Sequence, residues 1–317
     1  MRDRPAGLTE DELCAALDEG WGLRAESVTY LPVGAGSYHW SVADRFVKVD
    51  HVAGLDDLRR SLATAAALSL DGVVAPVPAL DGAVVRRLGD LHAVSVYPMV
   101  EGDSGSFGPH RAEDLPELAS LLAAVHRATP LVAHLAPPRT EFRLPGRAEL
   151  LEALRDLDRP WTGGPHSEPA RALLTRHRGQ ILEWLAEFDR LAATVASTAA
   201  DWVVTHGEPH PGNLIRTGAG LRLIDWTTVR IAPPERDLWM LTRAFTDLLG
   251  AEPPAFDALA HYTAATGRAV SVEGVALYQR WWVLADVAAF TADLRNPHSD
   301  GEDAAAALVY LAGYFTP

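Results

Sequence analysis

The sequence predicts an α+β fold of two lobes, a β-rich first lobe and a mainly helical second lobe. Strand-like patterns are concentrated in the first third of the chain, and helical periodicity dominates after Gly102. The length of 317 residues and the composition, 48% hydrophobic and 22% charged, leave room for two moderate globular units. We expect a first lobe over residues 1–97, a hinge over 98–102 and a second lobe over 103–317.

The first lobe begins with an amphipathic helix and continues as strands separated by turn residues. Thr9 stands where a helix N-cap is expected. The tetrapeptide Gly34-Ala35-Gly36-Ser37 predicts a turn between two strands. The predicted elements are helices over Leu8–Gly20 and Leu55–Leu70, and strands over Val28–Val33, Trp40–Val49, Val73–Leu80, Ala83–Arg87 and His92–Val100.

In the second lobe, apolar residues recur at helical spacing, and the pattern is interrupted by one strand pair. That pair covers Asn213–Thr217 and Leu221–Ile224, joined by the turn residues Gly218-Ala219-Gly220. A segment rich in proline and glycine, Arg159–Pro169, is predicted as a loop. The predicted helices are Leu115–Ala128, Ala170–Ala199, Asp237–Leu249 and Val275–Leu294.

The charge of the chain limits the kinds of partner that we expect. A formal net charge of −14 disfavours a nucleic-acid partner, because phosphate backbones bind basic surfaces. An acidic protein concentrates cations, so the charge suits a cationic small-molecule substrate, although solubility alone also explains it.

The sequence lacks the features of secretion or membrane insertion. Its longest apolar runs, such as Val283–Phe290, are interrupted by charge, and Met1–Glu10 has no apolar signal core. The single cysteine, Cys14, excludes an intrachain disulfide and fits a reducing compartment. We therefore expect a cytoplasmic protein without a membrane partner, either a monomer or a homodimer.

Lysine is almost absent from the sequence. Lys and Arg together number 28, yet Lys48 is the only lysine. A compact ammonium on a flexible stem is not interchangeable with a planar guanidinium where one phosphate oxygen must be reached. The retention of this lysine indicates a specific role at Lys48, although chance survival of one lysine is the simpler alternative.

The segment Val203–Asp225 combines the side chains that phosphoryl transfer requires. Glu208 and Asn213 lie on a loop that two prolines keep from being helical, and a hairpin then separates Asn213 from Asp225. The hairpin brings the amide of Asn213 near the carboxylate of Asp225, a donor set that suits Mg²⁺. The carboxylate of Glu208 is then available to orient or deprotonate an attacking hydroxyl.

Two other interpretations also fit parts of these motifs. Gly34 and Gly36 also fit a simple hairpin turn, and His39 occupies the place of a third glycine in a nucleotide loop. His206 and His210 are spaced like zinc ligands on a helix, but the intervening glutamate is misplaced for a metalloprotease and the prolines prevent the helix. We therefore favour a nucleotide site over a zinc site.

Four motifs in chain order resemble the aminoglycoside phosphotransferases, which have a protein-kinase-like two-lobed fold. In that family the catalytic loop has the pattern H-G-D-x-H-x-x-N, and a strand ending in I-D-F or I-D-W follows it. The upstream glycine turn and the downstream segment most resemble the spectinomycin phosphotransferase branch. The four are Gly34-Ala35-Gly36-Ser37-Tyr38-His39-Trp40, His206-Gly207-Glu208-Pro209-His210-Pro211-Gly212-Asn213, Ile224-Asp225-Trp226 and Ala232-Pro233-Pro234-Glu235-Arg236-Asp237-Leu238-Trp239.

The resemblance implies a role for each matching residue, with ATP or GTP as phosphoryl donor and Mg²⁺ as the metal. Glu208 corresponds to the catalytic base, Asn213 and Asp225 to the metal ligands, and Lys48 to the strand lysine on the α- and β-phosphates. His206 also belongs to the catalytic residues, because His206 and Asp237 match positions that support the catalytic loop by hydrogen bonds. In the nucleotide site, the resemblance places Gly34, Gly36 and Ser37 over the phosphates, and the backbone of Pro98 and Val100 beside the purine.

Two departures from the family pattern keep alternatives open. The catalytic loop has Glu208 where an aspartate is usual, and the predicted helix Leu55–Leu70 has no glutamate to pair with Lys48, only Asp56 and Asp57. The expected reaction is phosphorylation of a hydroxylated antibiotic of the aminoglycoside or aminocyclitol type, which confers resistance. The alternatives are another small alcohol, such as a nucleoside antibiotic, or a nucleotide-binding pseudokinase.

Overall fold

The computed structural model describes residues 4–5, 7–24, 28–33 and 36–315. Its strands are short, and most of them lie in the first third of the chain. The strands are β1 (Thr29–Leu31), β2 (Tyr38–Val42), β3 (Arg45–His51), β4 (Arg86–Leu88), β5 (His92–Pro98), β6 (Asp103–Ser104), β7 (Val203–Thr205), β8 (Leu214–Thr217), β9 (Gly220–Leu223) and β10 (Arg230–Ala232).

Helices make up most of the chain after residue 114. The predicted α+β class, a β-rich first part followed by a mainly helical part, is therefore confirmed. The helices are α1 (Glu10–Trp21), α2 (Leu55–Leu68), α3 (Leu115–Arg127), α4 (Thr129–Val132), α5 (Arg147–Arg155), α6 (Ser167–Ala196), α7 (Glu235–Leu238), α8 (Arg243–Leu248), α9 (Ala258–Thr266), α10 (Val272–Arg295) and α11 (Glu302–Gly313).

Two structural units are formed from non-contiguous parts of the chain. Unit 1 contains Met1–Arg139, Trp202–Leu241 and Pro254–Arg268, and unit 2 contains Thr140–Asp201, Thr242–Pro253 and Ala269–Pro317. Residues from both predicted lobes contribute to unit 1. The lobe boundary at residues 98–102 remains a prediction.

The main sheet of unit 1 has five antiparallel strands in the order β1-β2-β3-β5-β4. Side chains alternate between its two faces, since successive residues of a strand point in opposite directions. One face is apolar and packs against α1, whereas the other carries Lys48, Asp50 and Ser95. The buried cluster on the apolar side includes Leu13, Leu17, Trp21, Trp40, Val42, Val47, Val49, Val94 and Val96.

The first helix begins where the sequence predicts. The Thr9 hydroxyl accepts the Glu12 N–H at 3.2 Å, and the Glu12 carboxylate accepts the Thr9 N–H at 2.8 Å. This capping box satisfies two backbone donors that a helix start would otherwise leave unpaired. Gly22, in the left-handed conformation at φ 66°, ends the helix.

The remaining strands of unit 1 form two small sheets near the segment that carries the sequence motifs. The hairpin of β8 and β9 is extended by β6, and β7 pairs with β10. Helix α3 packs against α9 and β7 and buries Leu118, Leu122 and Val125. The predicted hairpin between Asn213 and Asp225 is present, so both residues lie at the same end of the β8–β9 pair.

Unit 2 is built from helices. Helix α10 packs along α6, and α5 and α11 add to the same apolar cluster, which includes Leu174, Leu185 and Phe188. The Arg147 guanidinium of α5 donates two hydrogen bonds to the Asp189 carboxylate of α6, at 2.6 and 2.7 Å.

Three predicted elements were wrong in detail. The segment Trp40–Val49 is two strands joined by a turn at Ala43 and Asp44. This turn contains neither glycine nor proline, so the sequence did not predict it. Val73–Leu80 is not a strand and makes only one bridge, from Val73 to Leu223. The predicted helix Asp237–Leu249 is divided between α7, a 3₁₀ turn and α8, which starts anew at a Thr242 cap. Helices α4, α5, α9 and α11 were not predicted.

Among the described residues, no single helix is long and apolar enough to cross a membrane. The segments Leu115–Arg127 and Thr129–Leu135 reach that length and composition only as a pair, with a bend of 47° between them.

Candidate active site

The loop that follows β7 is anchored by the buried carboxylate of Asp237. This carboxylate accepts the backbone N–H groups of His206 at 2.8 Å and Gly207 at 2.5 Å, together with Nε2–H of His126 at 2.9 Å. Burial alone would raise the pKa of Asp237, but the hydrogen bond from His126 and the charge of Arg236 lower it. The carboxylate therefore remains charged and fixes the backbone at the start of the loop.

The side chain of His206 connects this loop to the end of β9. Its Nε2 lies 2.8 Å from the Ile224 carbonyl oxygen, which can only accept, so Nε2 carries the hydrogen. Its Nδ1 then accepts the Glu208 N–H at 3.2 Å. Burial lowers the pKa of His206, as expected for a neutral ring with one donor and one acceptor nitrogen. His206 therefore orients the backbone of Glu208.

Arg236 determines which residue fits at position 207. Its guanidinium donates to the Thr205 hydroxyl and to the Thr228 carbonyl, each at 2.9 Å. Gly207 has φ +108°, and a Cβ at this position would lie 2.2 Å from Arg236 Nη2. The loop therefore requires glycine here, both for its backbone conformation and for space.

Glu208 and Asn213 are connected across the loop. Asn213 Nδ2 donates to the Glu208 carbonyl at 2.9 Å, and the Asn213 carbonyl accepts the Ile224 N–H at 2.9 Å. A short 3₁₀ turn over Pro211–Asn213 completes the loop. The side chains of Glu208 and Asn213 are half-buried. These bonds hold Asn213 next to the residue that precedes Asp225.

Asp225 ends the hairpin in a left-handed conformation, with φ 61°. Its Oδ1 accepts Lys48 Nζ at 2.8 Å and the Thr227 hydroxyl at 2.8 Å. Burial would raise the pKa of this carboxyl, but the ammonium of Lys48 and these hydrogen bonds hold it well below its usual range. The side chain remains 41% exposed, so the charged carboxylate also faces solvent.

Lys48 contacts two carboxylates. The ammonium lies 2.8 Å from Asp225 and 3.6 Å from Asp50, and only 7% of the side chain is exposed. Burial would lower the pKa of the ammonium, but Asp225 and Asp50 raise it above its usual value. Lys48 is therefore charged, and its ion pair with Asp225 joins the main sheet to the β8–β9 hairpin.

The acids of α2 do not pair with Lys48. Asp56 accepts a hydrogen bond from Arg59 at 3.2 Å, and Asp57 pairs with Arg60. The partner of Lys48, which the sequence left open, is therefore found on β3 and at the end of β9 rather than on the helix.

The glycine turn before β2 is only partly described. Gly34 lies outside the described residues, so its predicted role stays a prediction. Gly36 has φ +79° and is exposed, with no atom within 4 Å of a Cβ built there. The hydroxyl of Ser37 donates to Asp50. This bond connects the turn to β3 beside Lys48.

The end of β5 presents an open strand edge. Pro98 is the ladder partner of Arg45, and the next residue, Met99, donates its N–H to the Asp44 carbonyl at 3.1 Å. Successive residues of an antiparallel strand direct their backbone groups to opposite edges, so the Pro98 carbonyl points away from β3. No carbonyl within the described part of the chain accepts the Val100 N–H. These two groups are therefore free to bind a ligand.

A magnesium ion fits the site only together with a nucleotide. Asn213 and Asp225 supply one amide and one carboxylate oxygen, and neither Asn213 Oδ1 nor Asp225 Oδ2 takes part in a hydrogen bond between described residues. The described residues contain no group of three or more His, Cys, Asp or Glu that could hold a metal alone. Mg²⁺ is commonly held by one or two protein oxygens, with phosphates and waters completing its shell.

Sequence reasoning missed several residues of this site. Asp50 stands two residues after Lys48 on a strand, so the period of two could have indicated that both share a face. Arg236 adjoins Asp237 but gave no signal of its own. His126, whose Nδ1 lies 2.9 Å from the Tyr262 hydroxyl, is distant in sequence and meets Asp237 only in the folded chain.

We expect Gly207→Ala to lower the free energy of unfolding by about 2 kcal/mol or more, because the added Cβ meets Arg236 in a backbone conformation that alanine disfavours. Urea denaturation followed by tryptophan fluorescence measures this change. The matched control is Gly218→Ala, where no atom lies within 4 Å of the new Cβ. Equal stability of the two variants would contradict the packing argument.

We also expect stability to fall in mild acid. Burial lowers the pKa of His110 and of His210 to about 4. Between pH 6.5 and 4 the unfolded chain therefore binds protons that the folded chain does not, and each histidine removes about 1–2 kcal/mol by pH 5. Urea denaturation between pH 7.5 and 5 measures this loss.

The variant His110→Gln should flatten this pH dependence, whereas His134→Gln, at an exposed histidine, should leave it unchanged. Stability that stays constant down to pH 5 would contradict the assignment of neutral buried histidines.

Comparison with known proteins identifies the family. Residues 28–270 match the model of the phosphotransferase enzyme family, APH. Protein StrN of Streptomyces griseus is 28% identical over 239 residues, which cover 73% of this chain and 67% of StrN.

Solved structures show the same fold at low sequence identity. Spectinomycin phosphotransferase APH(9)-Ia, in complex with ADP and spectinomycin, has a TM-score of 0.76 at 13% identity and covers 98% of this chain and 96% of its own. A microcompartment-associated aminopropanol kinase has a TM-score of 0.61 at 18% identity, with 96% and 95% covered. The chain therefore belongs to the phosphotransferase enzyme family, with the kinase-like fold of the aminoglycoside phosphotransferases.

Proposed function

We propose that the protein transfers the γ-phosphoryl group of ATP to a hydroxyl of an aminoglycoside or aminocyclitol antibiotic, and that the phosphate ester inactivates the antibiotic and confers resistance. The observation that carries this proposal is the ion pair between Lys48 and Asp225. It places a buried ammonium and a charged carboxylate side by side, next to the loop that bears Glu208 and Asn213. A phosphate chain and its metal require this combination of charges.

Each residue of the site has a proposed role. The Glu208 carboxylate orients the substrate hydroxyl and accepts its proton, and Lys48 contacts the α- and β-phosphates. Asn213 and Asp225 would hold Mg²⁺, which when bound neutralises charge on the phosphates. The turn at Gly34, Gly36 and Ser37 would cover the phosphates with backbone N–H groups, and His206 would support the loop that bears Glu208.

The backbone groups of Pro98 and Val100 favour ATP over GTP. The Val77 N–H donates to the Val96 carbonyl at 2.6 Å, and Pro98 directs its carbonyl to the same edge of β5 two residues later. Adenine presents an amino donor beside the N1 acceptor, which complements an acceptor at Pro98 and a donor at Val100. Guanine presents the reverse order, and proline has no N–H to offer its O6.

Two observations support the proposed substrate class. The net charge of −14 suits a polycationic antibiotic, and APH(9)-Ia was solved with spectinomycin. Similarity to an aminopropanol kinase keeps a smaller amino-alcohol, or another alcohol such as a nucleoside antibiotic, as the second candidate. Because ATP is available in the cytoplasm, we propose that the reaction occurs there.

The proposed reaction predicts that purified protein with Mg²⁺ and ATP adds one phosphoryl group to one class in a panel of hydroxylated compounds. The panel contains spectinomycin, aminoglycosides, amino-alcohols and nucleoside antibiotics, and mass spectrometry detects the product. Glu208→Ala should lower kcat at least about 100-fold, since positioned proton transfer contributes that much.

The matched control is Glu252→Ala, at an exposed glutamate, which should retain full activity. Nucleotide binding without modification of any compound would favour a regulatory pseudokinase. Full activity of Glu208→Ala would remove this residue from the reaction.

The choice of donor is tested separately. We expect kcat/KM for ATP to exceed that for GTP by at least about tenfold. The reason is that the O6 acceptor of guanine would face the Pro98 carbonyl, and its N1 donor would face the Val100 N–H. Pro98→Ala adds an N–H at the strand edge and should narrow this ratio. Equal use of both nucleotides by the wild-type protein would contradict the proposal.

A further inference from the structure

The only lysine of the chain is buried between acids that do not belong to the neighbouring helix. Lys48 lies 2.8 Å from Asp225 and 3.6 Å from Asp50, whereas Asp56 and Asp57 of α2 are engaged by Arg59 and Arg60. A buried ammonium is unfavourable unless an opposite charge stays beside it. The identity of that acid when nucleotide is bound therefore matters for the site.

Asp225 alone cannot be the acid that pairs with Lys48 when nucleotide is bound. The proposed function assigns its carboxylate to the metal, and Lys48 already occupies one of its two oxygens. When Asp225 and Lys48 both bind the nucleotide with its metal, their contact competes with the ligand. The phosphates would then balance the charge of Lys48 without fixing its side chain to the protein, and Asp50 is the other carboxylate that forms an ion pair with it among the described residues.

The position of Asp50 is set by β3. Residues 48 and 50 lie on the same face of the strand, because side chains alternate with a period of two. The Asp50 side chain is only 15% exposed. Its Oδ1 accepts the Ser37 hydroxyl, and its Oδ2 is buried without a hydrogen-bond partner among the described residues. This oxygen is therefore available to an ammonium that moves away from Asp225.

We propose, on the basis of the proposed function, that Asp50 is the positioning residue for Lys48: its carboxylate holds the ammonium over the phosphates while Asp225 binds the metal. Asp50 does so from the strand of the lysine itself, in a chain whose α2 has no free acid for this role. Through Ser37 it also connects the lysine to the glycine turn, so the turn and the ammonium meet the phosphates together.

The test compares the affinity for Mg²⁺-ATP with the affinity for adenosine, which has the base but no phosphate. Isothermal titration calorimetry measures both for the wild-type protein, D50N, D50E, S37A and D56N. We expect D50N to bind Mg²⁺-ATP about tenfold more weakly and adenosine as the wild type does. D50E keeps the negative charge and should retain most of the affinity for Mg²⁺-ATP that D50N loses.

Two controls separate charge from structure. D56N removes a carboxylate that is 91% exposed and whose ion pair among the described residues is with Arg59, and this variant should bind both ligands as the wild type does. S37A removes the hydrogen bond to the turn but keeps the charge of Asp50. This variant should lose less affinity for Mg²⁺-ATP than D50N does. If D50N does not fold, Asp50→Ser provides a second neutral variant for the same comparison.

The inference is overturned if D50N binds Mg²⁺-ATP as tightly as the wild type, or if it loses both ligands equally. It is also overturned if S37A reproduces the whole effect, since the hydrogen bond rather than the charge would then be responsible. A wild-type protein that binds no nucleotide at all overturns the proposed function itself, which is a different result.

Discussion

The ion pair between Lys48 and Asp225 joins the two parts of the chain on which the site depends. Lys48 comes from the middle of a β-sheet, and Asp225 from the end of a hairpin 177 residues later. Burial disfavours the charged form of each side chain. The carboxylate of Asp225 raises the pKa of Lys48, and the ammonium of Lys48 lowers the pKa of Asp225, so both groups stay charged. Their pairing therefore fixes the distance between the sheet and the hairpin, and with it the place that we propose for a phosphate chain.

A second buried charge shapes the loop that follows β7. Asp237 satisfies two backbone N–H groups of the loop, and His206 then connects the loop to β9. With its prolines, the loop cannot satisfy its own backbone as a helix would, so these side chains supply the missing partners. The result is a loop whose conformation is determined before any substrate arrives, which is how a site places reacting groups accurately.

The sequence predicted much of this architecture, and the failures have identifiable causes. The hairpin between Asn213 and Asp225 was predicted because glycines mark its turn. The turn at Ala43–Asp44 was missed because it contains neither glycine nor proline, and because alanine rarely adopts the positive φ of 52° that Ala43 has here. The sequence offers Asp56 and Asp57 as partners for Lys48, but arginines one helical turn further along the same helix bind them.

The sequence by itself determined the fold class, the order of the motifs and the identity of the residues with unusual chemistry, because periodicity, turn residues and a lone lysine are local properties. Only the tertiary structure decided which charges meet. The pairing of Lys48 with Asp50 and Asp225, and of Asp237 with His126, joins residues from different elements. Such contacts depend on how sheets and helices pack, since a charged side chain pairs with the opposite charge that the fold brings within a few ångströms.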